Sequence, residues 1–473
     1  MKRLSLLLMI TAALWGNRAF PGAEGWGAEA RGGRGGRVVE VTNLREWGPG
    51  SLRWALEDLK GPRTVVFRVS GTITIHYPIR ITSPYITVAG QTSPGGITIR
   101  GERMDYTLLE VATHDVIIRY IRLRPGISAP DCAALRILNF TDSSPVYNVI
   151  VDHCSISWNT DEGVDLWGWR AKIWNITVQH CLMAEGLQGH STAVLTGGNS
   201  SYEASLIERV DFHHNLIMNM SHRLPLVKTP SFRFINNIVY NWFFYATQII
   251  GGVKMDIISN LYRRGPLYGQ RFSSHAVQAA PAYGTDAVDG TPSIYIEGNS
   301  GPYNPHPEKD NWKMVYQVSG ENGGELRPAP LNFRRSTPLP AAKYPISVNS
   351  LEELEEILLK EAGASARLNK YGELVNFRDA VDRRLVKEYR ERRGKIPRTE
   401  AEVGGYPEIP HFQPYPDGDH DGMSDLWESL VGLDPRDPSD ANLYTLSKDY
   451  TNLELFLSGK SHELLRKKFR RFH

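Results

Sequence analysis

Short runs of alternating apolar and polar residues recur through the middle of the chain, each too brief to form an amphipathic helix. "VIIRYIRL" begins at Val116, "VIVDHCSI" at Val149, "ITVQHCLM" at Ile176 and "VDFHHNLI" at Val210. "FRFINNIV" from Phe232, "MDIISNLY" from Met255 and a weaker "IYIEGNS" from Ile294 continue the series. Positions one and three are apolar in every run, as a half-buried strand requires. Position six reads Ile121, Cys154, Cys181, Asn215, Asn237, Asn260 and Asn299. The strands recur while the segments between them vary in length, the mark of a solenoid whose loops carry function. In a parallel solenoid equivalent residues stack at about 4.8 Å, so a column of Asn amides can hydrogen-bond from coil to coil. An ordinary parallel α/β arrangement fits poorly, because the connecting segments lack helical period and are rich in Gly, Asn, Ser and Thr. The pattern predicts an all-β chain, a right-handed parallel β-helix, with earlier coils near "TVVFRVSGTITI" and "YITVAGQTSPGGITIRG".

Outside this region the texture changes. Lys2 and Arg3 precede an apolar stretch, Leu4 to Trp15, which has signal-peptide length and is too short to span a bilayer comfortably. Residues 1–19 are therefore expected to be a secretory signal and 20–345 the β-helix. Residues 346–410 are expected to form a helical segment packed on it. There "SLEELEEILLKEAG" reads as a helix with a Ser350–Glu353 capping box and a stop at Gly363, and a second helix is expected over Phe377 to Arg392. Residues 411–473 are expected to form an EF-hand-like calcium-binding tail.

Composition narrows the functional classes. The chain has 473 residues, 54 basic and 52 acidic, a balance that gives no general attraction to nucleic acid. The basic run "RKKFRRFH" at the C-terminus reads as a solvated tail. Three cysteines, Cys132, Cys154 and Cys181, are too few for a disulfide scaffold and match no zinc spacing, so buried free thiols are expected. An exported monomer without a membrane anchor is the resulting expectation.

The candidate chemistry gathers in the middle coils. Asp131 precedes one coil, and Asp161 and Asp165 close "DEGVD" after the next. Carboxylates brought together by stacked loops suit a hard cation, Ca²⁺ above all. Arg223 and Lys228 follow a later strand in "HHNLIMNMSHRLPLVK", as cations would if the substrate were polyanionic. A second acidic motif, "DGDHDGMSDLWE", places Asp417, Asp419 and Asp421 at loop positions one, three and five. Gly422 stands at six, the Met423 carbonyl at seven, Asp425 at nine and Glu428 at twelve, the EF-hand calcium-loop pattern, expected to hold a structural ion.

The blocks "FPGAEGWGAEARGGRGG", "GSLRWAL", "VSGTITI", "ITVAGQTSPGG", "IIRYIRLRPG", "VIVDHCSISWNTDEGVD" and "FHHNLIMNMSHRLPLVK", taken in order, resemble bacterial pectate lyases of polysaccharide lyase family 1. The resemblance implies a β-helix and calcium-dependent β-elimination of α-1,4-polygalacturonate. It implies that Asp131, Asp161 and Asp165 hold the catalytic Ca²⁺. Arg223 would take the C5 proton of the uronate, Lys228 would bind substrate carboxylate, and Asp152 would be structural. The family's usual lysine after the next strand is missing from "AEGLQGHSTAVLTGG", where Gln188, His190 and Thr192 are the nearest substitutes. That departure keeps a non-catalytic glycan-binding β-helix in view, alongside a β-helical hydrolase, which would need an acid–base carboxylate pair.

Overall fold

The structure is a computed structural model that describes residues 18–460 apart from 140, 142–143, 268–274, 285 and 320–325. The expected signal segment and the basic C-terminal run lie outside the described residues, except for positions 18 and 19.

The seven aligned runs supply seven strands of one ten-stranded parallel sheet. Its register follows the sequence alignment: Val116 pairs with Val149, Val149 with Ile176, Ile176 with Val210, Val210 with Phe232, Phe232 with Met255, and Met255 with Ile294. Arg37–Val41, Arg63–Phe67 and Ile86–Ala89 extend the sheet at its N-terminal end. A coil passes through three such sheets in turn, for example Val146–Asp152, then Ser155–Ser157, then Glu162–Gly168, before Ile173–Gln179 opens the next. The chain is a parallel β-helix, and its enclosed core is lined by side chains such as Val149, Val151, Ile156, Val164 and Leu166.

Two ladders brace the bend between the first and second sheets. On the inside, Asn215 N–H donates to Asn237 Oδ1 at 3.0 Å, Asn237 N–H to Asn260 Oδ1 at 2.8 Å, and Asn260 N–H to Asn299 Oδ1 at 2.8 Å. Asn311, which lies beyond the aligned series, closes this ladder by accepting from Asn299 N–H at 2.6 Å. Cys154 and Cys181 occupy the same column as buried free thiols, and Cys132 is also free and buried. On the outside, Tyr120, His153, His180 and His214 stack at centroid spacings of 4.8, 4.8 and 5.0 Å. These four residues have φ between 50 and 56°, because the chain must turn sharply where one strand ends and the next begins.

The C-terminal helices lie on the outer face of the second sheet. Leu351–Glu361 carries the expected Ser350–Glu353 capping box, and Gly363 follows with φ +84°. The second helix is shorter than expected, Ala380–Arg390, because the Asp379 carboxylate accepts from Asp382 N–H and caps it there. Leu354, Leu358, Leu385 and Tyr389 pack against Leu182, Leu216, Met218 and Ile238. Each such aliphatic side chain contributes about 1.5–3 kcal/mol when fully buried. Orientation is set by buried ion pairs, Arg124 with Asp379 and Asp382, and Arg384 with Glu185 at 2.6 Å. No helix among the described residues is long and apolar enough to cross a membrane.

Candidate active site

The third sheet builds the site. Cys132–Leu138, Glu162–Gly168, Thr192–Gly198 and Leu226–Val227 are consecutive neighbours in it. Side chains alternate along each strand, so Leu135, Ile137, Val164 and Leu166 enter the core while Arg136 and Asp165 face out. Arg136 and Asp165 are register partners, and Arg136 Nε donates to Asp165 Oδ2 at 2.6 Å. Its Nη2 lies 3.5 Å from Asp161 Oδ2, and its guanidinium sits 4.2 Å over the Tyr106 ring. A cleft of about 400 Å³ is lined by these groups together with Glu162, Trp167, Trp169, Asn199 and Arg223.

Arg223 enters from the following coils. His222 bridges to Thr192, itself the register partner of Glu162, and this places the next residue, Arg223, against Glu162. Arg223 Nη1 pairs with Glu162 Oε1. Two of the aspartates expected to act together are thus gathered with the expected arginine, although Arg223 lies 61 residues from Glu162 in the chain.

His190 also reaches the group, with Nδ1 at 3.3 Å from Asp161 Oδ1 and Nε2 at 3.9 Å from Glu162 Oε1. It stacks at 5.8 Å on His222, which burial first and Arg223 second push down to about 3. Ligand atoms of Asp161, Glu162 and His190 lie within 4.8 Å of one another. Burial first, then Glu162, pushes the Asp161 carboxyl up to about 7. Burial pushes Asp165 up to about 6 against the opposing pull of Arg136, and its Oδ1 is buried without a hydrogen-bond partner among the described residues.

The remaining expected residues are placed differently. Asp131 stands exposed before its strand, five positions upstream of Arg136, and is absent from the close metal-ligating group. Its neighbour Cys132 accepts from Asp161 N–H at 3.3 Å, so Asp131 stands beside the acidic loop, while the residue opposite Asp165 is the cation Arg136. Gln188 is exposed on a turn, where its backbone N–H donates to Pro397 O at 2.8 Å. The Thr192 hydroxyl donates to the Asp161 carbonyl at 3.1 Å and so holds the loop in shape. Lys228, just after the strand Leu226–Val227, is buried and ion-paired to Asp286 at 2.5 Å. Asp152, buried between Arg119 at 2.8 Å and Gln179 at 2.7 Å, is structural, as expected. Arg136, Glu162, Tyr106 and the Trp167–Trp169 wall were not singled out from sequence as site residues. Only the strand register could have shown Arg136.

Comparison with known proteins fits this geometry. The chain is 32% identical over 451 residues to a probable pectate lyase C of Aspergillus fumigatus, covering 93% of both chains. It is 31% identical over 446 residues to the corresponding Emericella nidulans protein, covering 93% of this chain and 92% of that one. The chain belongs to the pectate lyase family. These relatives are fungal, whereas the sequence blocks resemble bacterial members. No family model matches the chain. Among solved structures, the cedar pollen allergen Jun a 1 superposes with a TM-score of 0.51 at 15% identity, covering 72% of this chain and 92% of that one, a likeness of fold. A pectate lyase from Bacillus sp. N165 in complex with trigalacturonate gives 0.48 at 17% identity, covering 72% of this chain and 98% of that one. Family membership makes the chain a polysaccharide lyase.

Proposed function

We propose that the chain is an exported pectate lyase that cleaves α-1,4-linked polygalacturonate by β-elimination, leaving a 4,5-unsaturated end. The observation that carries this reading is the meeting of Asp161, Asp165 and Arg223 in one open cleft, within a chain of this family. Oxygen donors with an orphaned buried atom, Asp165 Oδ1, fit a hard divalent cation such as Ca²⁺. In the revised ligand set Asp161, Glu162 and His190, whose ligand atoms lie together, would hold the ion, with Asp165, one oxygen of which is held by Arg136, beside them and Asp131 outside the group. Bound there, the cation would withdraw charge from a uronate carboxylate and so acidify the C5 proton.

The chain's own residues do the rest. Arg223 is the group positioned to accept the C5 proton, and the elimination then expels the C4 oxygen without attack by water. A guanidinium holds its proton above about pH 12 in water, so turnover is expected to favour alkaline solution. Arg136, held by Asp165 and Tyr106, gives the cleft a fixed positive wall where the substrate carboxylate arrives. His190 occupies the loop where the family's lysine is missing. Lys228, through Asp286, holds the neighbouring loop rather than an open cation.

Incubation with polygalacturonate tests this reading. Calcium-dependent ultraviolet absorbance from unsaturated ends is expected. Reducing ends without that absorbance would mean hydrolysis, and binding without products would mean a glycan-binding protein.

A further inference from the structure

The acidic tail motif folds into a site whose ligand set differs from its sequence pattern. Asp417, Asp419 and Asp421 bring ligand atoms within 4.8 Å of one another, and a second such group joins Asp421 and Glu428 to Asp440. Asp440 lies twelve residues beyond the end of the loop, on the short 3-10 turn Asp440–Asn442. Asp421 is common to both groups, so the two adjoin and together bring in five carboxylates.

This site lacks the hydrogen bonds that such burial demands. Glu428 is fully buried, and neither of its carboxylate oxygens has a hydrogen-bond partner among the described residues. The same holds for Asp421 Oδ2, Asp440 Oδ1 and both oxygens of Asp419. Buried carboxylates without donors cost several kcal/mol each unless a cation meets them.

Asp425, the expected ninth-position ligand, belongs to neither group. It opens the helix Asp425–Val431, and its Oδ1 accepts from Gly418 N–H at 2.7 Å, bracing the loop from outside. Asp417 also braces the loop, accepting from Asp421 N–H at 3.2 Å and Gly422 N–H at 3.0 Å.

We propose that a hard divalent cation, Ca²⁺, is held by Asp417, Asp419, Asp421, Glu428 and Asp440 with the Met423 carbonyl, Asp440 supplying the carboxylate that the loop pattern assigns to Asp425. The six ligands match the six to eight oxygens that Ca²⁺ takes. The ion ties three pieces together: the loop, the helix after it, and the turn at Asp440. Arg68 then carries the tie to the first coils, with its guanidinium 3.3 Å from Glu40, 3.6 Å from Asp417 and 2.7 Å from the Tyr415 carbonyl. Met423, Trp427 and Phe456 of this unit pack on Val66 and Ala89 of the β-helix. The site is therefore a clamp on the N-terminal coils, separate from the catalytic cleft.

The test follows hydrogen–deuterium exchange of the segment 417–442 in the chelator-stripped full chain as calcium is added, a local readout that cleft binding does not move. Calcium is expected to protect this segment. Asp440→Asn should raise the calcium concentration for half protection by about tenfold or more, and Asp425→Asn should leave it within about twofold. No calcium-dependent protection in the parent chain would overturn the proposal, as would a tenfold loss in Asp425→Asn with none in Asp440→Asn. If Asp440→Asn does not fold, Asp425→Asn still decides: an undiminished response supports the assignment and a tenfold loss overturns it.

Discussion

Replacing Asn237 by alanine probes the interior ladder at its centre. The Asn237 side chain accepts from Asn215 N–H at 3.0 Å and Asn215 Nδ2 at 2.9 Å. Its own amide donates to the Phe212 carbonyl at 2.9 Å and to Asn260 Oδ1 at 3.0 Å. All three asparagines are fully buried, so water cannot replace what is lost. Each buried donor left unsatisfied costs about 1–3 kcal/mol. Two donors of Asn215 are stranded at once, which puts the loss at about 4 kcal/mol; the carbonyls lose less because each has a second lone pair. Urea unfolding followed by tryptophan fluorescence measures it. The ladder also predicts coupling: in an Asn215→Ala background one of those donors is already gone, so Asn237→Ala should cost about 1–3 kcal/mol less there. A loss below about 1 kcal/mol, or additive costs in the double variant, would refute the idea that the column is a connected hydrogen-bond chain.

Other expectations follow from the same geometry. Arg223→Ala should lower turnover of polygalacturonate by about a hundredfold to ten-thousandfold while the thermal midpoint stays near that of the parent; near-normal turnover would reject Arg223 as the base. Glu110 is fully buried, and burial lifts its carboxyl from 4.5 to about 7 despite Arg80 and Arg136. The folded chain thus holds that proton more tightly than the unfolded one, so stability is full below pH 4.5 and declines as pH rises to about 7. At about 1.4 kcal/mol per pH unit the decline totals about 3.5 kcal/mol, and Glu110→Gln should remove it in urea midpoints measured from pH 4 to 8. Ser350→Ala deletes the cap of Leu351–Glu361 and should cost about 1 kcal/mol, read by the same unfolding assay.

The architecture was readable because it rests on repetition. Apolar residues with a period of two, recurring with Asn or Cys at position six, leave few folds that could use them, and the structure pairs the aligned residues one with the next. The helix cap was equally local, a matter of Ser350 and Glu353 three residues apart. The catalytic wall was harder. Arg136 sits mid-strand in "ALRIL" and looks like any outward charge until register sets it opposite Asp165. Asp131 drew notice for its position before a strand, yet what counts is which residue the next coil stacks upon. Asp440 was invisible for a related reason: the calcium-loop pattern ends at Glu428, and nothing in the intervening residues announces a return to the site.

The outward column of the third sheet explains why the chemistry sits where it does. Arg80 pairs in register with Glu110, Glu110 with Arg136 and Arg136 with Asp165, so charge alternates from coil to coil. Beyond Asp165 the column turns apolar with Leu195 and Leu226. Every charge before the end has an opposite charge on both sides or faces the exposed start of the column. Asp165 alone has its cation on one side and hydrocarbon on the other, and its Oδ1, like both oxygens of Glu110, has no hydrogen-bond partner among the described residues. Of the two column carboxylates, Glu110 and Asp165, only Asp165 lines the cleft. The terminus lies beside Asp161 and Glu162 and faces Arg223 across the cleft. On the proposed function this terminus is where a divalent cation would sit, with Arg223 across the cleft from the bound polyanionic chain.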